Sequence, residues 1–319
     1  MVKNSVYGII AGIVLVGLIG TVTFSNFSNE SDEIPSDNSL KISTVESNTI
    51  SDEFNIKDII DSSLTEQNFL LVIEDDELIF NLHLTPLDYS RVVDQSENQL
   101  LNEVRLELKP EHIELLETYG ADESSVVIYP TFTSAAYSEP GFYTFYRGEC
   151  NESCITDLSF DNPKLGFTSS GNAVQVLHLF GYNFISDVIV DKNPEILKKY
   201  DKIILLHNEY VTKKMFDAVI AHPNIIYLYP NALYAEVEVN HDEKTMTLIR
   251  GHDYPPPENP ANGFDYEIEQ RFHDYEYDTD CIDWEFIEFE NGYALNCYPD
   301  LVIHTDLDIL LKLKELSKK

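Results

Sequence analysis

The chain has 319 residues, with 56 acidic and 21 basic side chains and a formal net charge of −35 at pH 7. A surface this acidic repels nucleic acid and anionic headgroups, so nucleic acid is not expected as a partner. Four cysteines, in two close pairs, suit an exported body with local disulfides, Cys150 with Cys154 and Cys281 with Cys297.

In chain order, the first predicted element is the uncharged run VYGIIAGIVLVGLIGTVTF, Val6 to Phe24. As a helix it spans about 28 Å, enough for a hydrocarbon core. Lys3 precedes it and Glu30, Asp32 and Glu33 follow, which places the N-terminus in the cytoplasm and the body outside. The expectation is a single-pass cell-membrane anchor over residues 1–25, with a cleaved signal peptide as the rival. Residues 26–65, rich in Ser, Asn, Asp and Glu, read as a flexible stalk. Residues 66–124 follow as strands and a short helix. Two strands flank the acidic turn at Asp75–Asp76, and VRLELKPEHIELLETYG gives a strand, then a helix opened by Pro110 and stopped by Gly120.

Residues 125–237 alternate apolar runs with helical patterns. SVVIYPTFT (Ser125–Thr133), ISDVIVD, KIILLHNEY (Lys202–Tyr210) and NIIYLYPN (Asn224–Asn231) read as strands. SSGNAVQVLHLFGY reads as a helix ending at Gly181, NPEILKKY as a short helix, and TKKMFDAVIAH as a helix capped by Thr212. Residues 238–319 change period: ALYAEVEVNHDEKTMTLIRG and WEFIEFENGYALNCYP read as hairpins, the second turning at Asn291–Gly292. HTDLDILLKLKEL reads as a terminal helix with Thr305 as cap and Asp308 completing a capping box. The fold class is therefore α/β: a three-layer parallel sheet with helices on both faces, plus antiparallel hairpins and an N-terminal transmembrane helix.

Ligands of parallel α/β sheets bind beyond the carboxyl ends of the strands. Those ends bring forward Thr133 as a hydroxyl donor, His207 as base or metal ligand, Glu209 as its carboxylate partner, and Asn231. Ser169–Asn172, opening a helix, could hold an anion or simply cap the helix. In the carboxylate-rich stretch Asp265–Glu290, Asp274, Asp278, Asp280 and Asp283 are candidate calcium ligands, with a solvated sheet face as the alternative. His252–Gly263, rich in proline, reads as a rigid surface link. There is no G-x-S-x-G, Walker A, G-x-G-x-x-G or H-E-x-x-H sequence.

The phrase KKYDKIILLHNEYVTKKMFDAVIAHPNIIYLYPNALY, Lys198 to Tyr234, resembles the amidotransferase-like, flavodoxin-like α/β domain, and in particular the C-terminal domain of the dimethylformamidase large subunit. The resemblance implies a fold and a histidine- or glutamate-bearing loop after a strand. The chain lacks a cysteine between Cys154 and Cys281, so it lacks the nucleophile of glutamine amidotransferases. Three functions stay open. The first is a membrane-anchored, extracytoplasmic, non-enzymatic binding or envelope-structural module with envelope proteins as partners. The second is an exported metal-assisted hydrolase. The third is a solute-binding or sensory ectodomain.

Overall fold

The computed structural model describes residues 54–64, 71–73, 78–85, 104–121, 124–264, 275–289 and 291–316. Its strands are β1 (Leu71–Ile73), β2 (Phe80–Leu84), β3 (Val104–Leu108), β4 (Ser125–Tyr129), β5 (Leu158–Ser159), β6 (Asn183–Ser186), β7 (Lys202–Leu205), β8 (Tyr210–Val211), β9 (Ile225–Tyr227), β10 (Ala235–Asn240), β11 (Thr245–Arg250), β12 (Phe286–Phe289) and β13 (Gly292–Leu295). Its helices are α1 (Ile56–Ser63), α2 (Leu115–Tyr119), α3 (Thr131–Ala136), α4 (Phe142–Tyr146), α5 (Gly171–Leu179), α6 (Asp187–Lys192), α7 (Lys213–Ile220) and α8 (Asp308–Glu315), with 3-10 turns between some of them.

β4 and β7 are buried along their whole length, as their unbroken apolar runs require when both faces of a sheet are covered. Successive side chains alternate between two cores. Val127, Ile204 and Ile226 face one, which α5 and α8 close. Val126, Ile128, Ile203, Leu205 and Ile225 face the other, which α6 and α7 close. Each fully buried Ile or Leu of this kind is worth about 1.5–3 kcal/mol.

The expected all-parallel sheet is corrected to a mixed one. The central sheet has six strands in the order β12-β13-β9-β7-β4-β6. β13, β9, β7, β4 and β6 pair in parallel, while β12 runs antiparallel at the edge. The 286–295 hairpin is thus part of the core sheet rather than an appended ribbon. Gly292 permits this, because a Cβ there would lie 1.8 Å from the Ile225 carbonyl oxygen. A second sheet, β5-β11-β10-β8, combines the expected β10–β11 hairpin with a parallel β8. A third, β1-β2-β3, is antiparallel; the turn expected at Asp75–Asp76 lies outside the described residues.

The single-pass membrane architecture is also corrected. No helix among the described residues is long and apolar enough to cross a membrane, and the Val6–Phe24 run lies outside them. The longest described helix, α5, has 9 residues, about 14 Å against a hydrocarbon core of about 30 Å. The membrane partner, the cell-membrane localisation and the extracytoplasmic topology that rested on an anchor are withdrawn with it.

Smaller differences have local causes. The stalk expected to reach residue 65 gives way to α1, where Asn55 accepts from the Lys57 amide and Ile56, Ile60 and Leu64 form one buried stripe. The strand expected over ISDVIVD ends at Ser186, whose hydroxyl accepts from the Ile189 amide and opens α6. α8 is not capped by Thr305, which instead donates to the Val302 carbonyl, and Asp306 accepts from the Asp308 amide. Thr212 caps α7 as expected, accepting from the Met215 amide. Both expected disulfides are present.

Candidate functional site

Lys202–Tyr210 does not continue as one strand. After Leu205 the Asn208 side chain accepts from the Leu206 amide at 3.0 Å, and the Asn208 amide returns to the Leu206 carbonyl at 2.7 Å. This side-chain turn breaks the ladder at the carboxyl end of β7 and turns His207 and Glu209 into the interior. Both are buried.

Glu209 is the centre of the cluster. Its Oε1 accepts from the Tyr143 hydroxyl at 3.1 Å and from His252 Nε2 at 2.7 Å. Its Oε2 is buried without a hydrogen-bond partner, 3.7 Å from His207 Nε2. Burial opposes ionisation of this carboxyl, but the hydrogen bond and charge of His252, then the charge of His207, outweigh it and hold the group below the usual range. Its carbonyl is gripped by the Tyr234 and Ala235 amides at 3.0 and 2.9 Å, so the residue is fixed from backbone to carboxylate.

His207 is equally fixed. Its amide donates to Ser170 Oγ at 2.9 Å, and Nδ1 lies 2.7 Å from the Thr168 carbonyl oxygen. A carbonyl only accepts, so Nδ1 carries a proton and Nε2 is the ring nitrogen that faces Glu209. Tyr137 and Tyr143 stack at 4.0 Å with their hydroxyls 2.6 Å apart. Because Tyr143 donates to Glu209, Tyr137 must donate to Tyr143, giving a relay of two phenols into one carboxylate oxygen. Burial pushes both phenols up, and the Glu209 charge adds to it, so they remain protonated donors.

The four strand-end residues do not form one constellation. His207 and Glu209 meet. Thr133 accepts from the Tyr210 amide at 3.1 Å and so fastens α3 to β8. Asn231, in a left-handed conformation at φ 62°, donates through Nδ2 to Glu276. The helix start at Ser169–Asn172 is filled by the chain itself: Asp300 Oδ1 accepts from the Asn172 and Ala173 amides at 3.2 Å each, and from the Tyr229 hydroxyl at 2.5 Å. Burial pushes the Asp300 carboxyl up to about 7. Of the proposed calcium ligands, Asp274 lies outside the described residues, and Asp278 accepts from the Cys281 amide. Among the described residues no three or more His, Cys, Asp or Glu side chains are grouped to hold a metal ion.

Sequence reasoning missed Tyr137, Tyr143 and His252. The tyrosines fall in the aromatic stretch AAYSEPGFYTFY, whose density was the available signal. His252 lies 43 residues from Glu209 in the chain, in the segment read as a surface link.

Residues 105–305 match the family model described as N,N-dimethylformamidase beta subunit-like, C-terminal. The chain belongs to that family. Comparison with curated proteins finds no match. The region shared with the dimethylformamidase beta subunit-like family runs from β3 to just before α8 and includes every member of the Glu209 cluster. The non-enzymatic, membrane-anchored role is therefore corrected. Its anchor has no counterpart among the described residues, and the carboxyl end of β7 presents a buried, charged cluster suited to chemistry.

Proposed function

We propose that the chain is a hydrolase of small amides, with its site at the carboxyl end of β7 and Glu209 as the central group. The observation that carries this reading is the asymmetry of one buried carboxylate. Its Oε1 is saturated by two donors, while Oε2 has no hydrogen-bond partner. A buried acceptor without a partner costs about 1–3 kcal/mol, and such a cost is characteristic of reacting groups. The N,N-dimethylformamidase description of the family supplies the amide class.

In this reading Glu209 Oε2 takes a proton from a water molecule, whose oxygen attacks the amide carbonyl. The carbon–nitrogen bond then breaks and the proton passes to the departing amine, leaving a carboxylic acid. His207 holds Nε2 beside the same oxygen and can share that proton. A metal ion also fits the donor chemistry, given the unsatisfied Glu209 oxygen. Because carboxylates and imidazoles alone form no metal group among the described residues, it would need the Tyr143 phenol, which would give up its proton on binding, with Glu209 and His207. When bound it would polarise the amide carbonyl.

The test is amine release from formamide, N-methylformamide, N,N-dimethylformamide and acetamide by the purified chain, with bound metal measured by elemental analysis. Glu209→Gln, nearly isosteric, is expected to lower kcat by about 10²–10⁴-fold with melting little changed. Wild-type-like turnover by that variant, or no turnover of any amide by the wild type, overturns the reading.

A further inference from the structure

We propose that the Cys150–Cys154 disulfide is a redox-sensitive clasp on the exit of α4, opened by a dithiol reductant without loss of the fold, whereas Cys281–Cys297 is a permanent staple. The device is independent of which reaction the Glu209 centre performs.

The two bridges differ in access. Cys281 and Cys297 are 4% and 0% exposed. Cys150 is only half-buried, and it stands in a run, Arg147 to Ser153, whose other residues are all exposed. Exchange requires a thiolate to reach one of the two sulfurs, so exposed bridges are the labile ones. Cys154 is buried, so the attack falls on Cys150 Sγ. The loop is also short, 4 positions against 16, and a shorter loop removes less entropy from the unfolded chain. Opening it is therefore compatible with an intact fold.

Both flanks are fastened without the bridge. α4 ends in a reversal, where the Arg147 amide donates to the Tyr143 carbonyl at 3.1 Å, the Gly148 amide to Phe145 at 2.8 Å and the Glu149 amide to Thr144 at 3.1 Å. Gly148 supplies the left-handed turn at φ 72°. On the far side Ile155 is buried in one core with Phe132, Phe142 and Tyr210, and its carbonyl accepts from the Leu248 amide of β11 at 2.8 Å. Between the flanks, the Asn151 side chain accepts from the Ser153 amide at 2.9 Å, and Arg147 pairs with Glu139 and Glu149 at 2.6 and 3.0 Å. Exposed ion pairs of this kind hold weakly. The covalent link is what ties the exposed run to the buried Cys154–Ile155 step.

The restrained element is the last turn of α4. Its Phe145 ring meets Tyr254 edge-on at 6.1 Å, and its Tyr146 ring lies 5.1 Å from His252. Phe142, at the other end of the helix, is fully buried. Opening the bridge frees the exit of α4 rather than its start, and so loosens the two rings that α4 lays on the 252–254 loop.

The exchange balances. A thiolate of the dithiol attacks Cys150 Sγ and the sulfur–sulfur bond breaks. Cys154 leaves as a thiolate and takes up a proton. The second thiol of the reductant then displaces Cys150 from the mixed disulfide. Two electrons pass from the dithiol to the bridge, leaving two thiols on the chain and a disulfide on the reductant.

The test treats the full chain with dithiothreitol under native conditions, alkylates the freed thiols and reads each cysteine by peptide mass spectrometry. Cys150–Cys154 is expected to open at least about tenfold faster than Cys281–Cys297. In the protein reduced at that bridge alone, amide hydrogen exchange from Phe145 to Ser153 should rise about tenfold or more. β4 and β7 should be unchanged, and reoxidation should restore protection. The double variant Cys150→Ser, Cys154→Ser should show the exchange pattern of the reduced protein and no further change at α4 with dithiothreitol. Equal reduction rates for the two bridges, unchanged exchange at Phe145 and Tyr146 after reduction, or failure of the double variant to fold would each overturn the proposal.

Discussion

Asp300 ties pH to stability through a single side chain. Its carboxyl sits at about 7 in the fold against an ordinary value of 3.8, because burial outweighs the Tyr229 hydroxyl and the two amides at the start of α5. An acid whose pKa rises on folding is protonated more readily in the native state. Its contribution is therefore complete below the unfolded value and is lost as pH climbs from about 4 to about 7. Asp300→Asn keeps an oxygen for all three donors and removes the titration. Its unfolding free energy, from urea melts at pH 4 to 8, should fall less steeply than that of wild type, by up to about 4 kcal/mol over the window. Equal slopes would show that Asp300 does not titrate there. Asp187, also pushed up to about 7 by burial, should leave part of the slope in place. At this scale the sequence told half the story. His207 and Glu209 were legible because a polar pair followed four apolar residues at a strand end. His252 was not, because its role depends on a left-handed loop and a contact across 43 positions.

Among the elements, the strands read most clearly were the doubly buried ones. β4, β7 and β9 are built on Val126–Ile128, Ile203–Leu205 and Ile225–Ile226, and nothing in their surroundings competes with that pattern. The segment after β6 failed for the opposite reason. Val188, Ile189 and Val190 favour a strand, yet Ser186 caps the turn, and the buried Asp187 carboxylate accepts from the Phe132 and Val188 amides. Polar caps and a tertiary hydrogen bond thus overrode the β-branched propensity. Pro130 likewise ends β4 and gives way to α3, where continuous strand had been expected to Thr133. The β12–β13 hairpin was recognised but not its place in the core sheet, since the close approach of Gly292 to Ile225 exists only in three dimensions. Gly292→Ala should therefore destabilise by about 1–3 kcal/mol or more, read as a lower denaturation midpoint. A neutral effect would mean that β13 does not pack against β9 this closely.

For the molecule as a whole, the hairpin is also covalently closed. Cys281 and Cys297, 16 residues apart, bracket β12 and β13. Chain-entropy reasoning gives a loop of that size about 3 kcal/mol. Replacing both cysteines by alanine should lower stability by that order, whereas the same change at Cys150 and Cys154, only 4 apart, should cost less. Comparing the two double variants in denaturant melts checks the ranking, and a larger loss from the short loop would refute it. The strong negative charge gave no structural guidance, because exposed carboxylates govern repulsion and solubility rather than topology.

The place of β13 between β12 and β9 also sets a timetable for synthesis. Strands β4, β6, β7 and β9 have all left the ribosome once residue 227 has emerged, but the strand that covers β9 begins only at Gly292. At about 5–20 residues per second, that gap lasts on the order of 3–13 s. Throughout it the nascent sheet exposes an apolar parallel edge of the kind that recruits foreign strands. Slow translation across 228–291 therefore lengthens the period of risk, and a nascent-chain chaperone would be needed most in that interval.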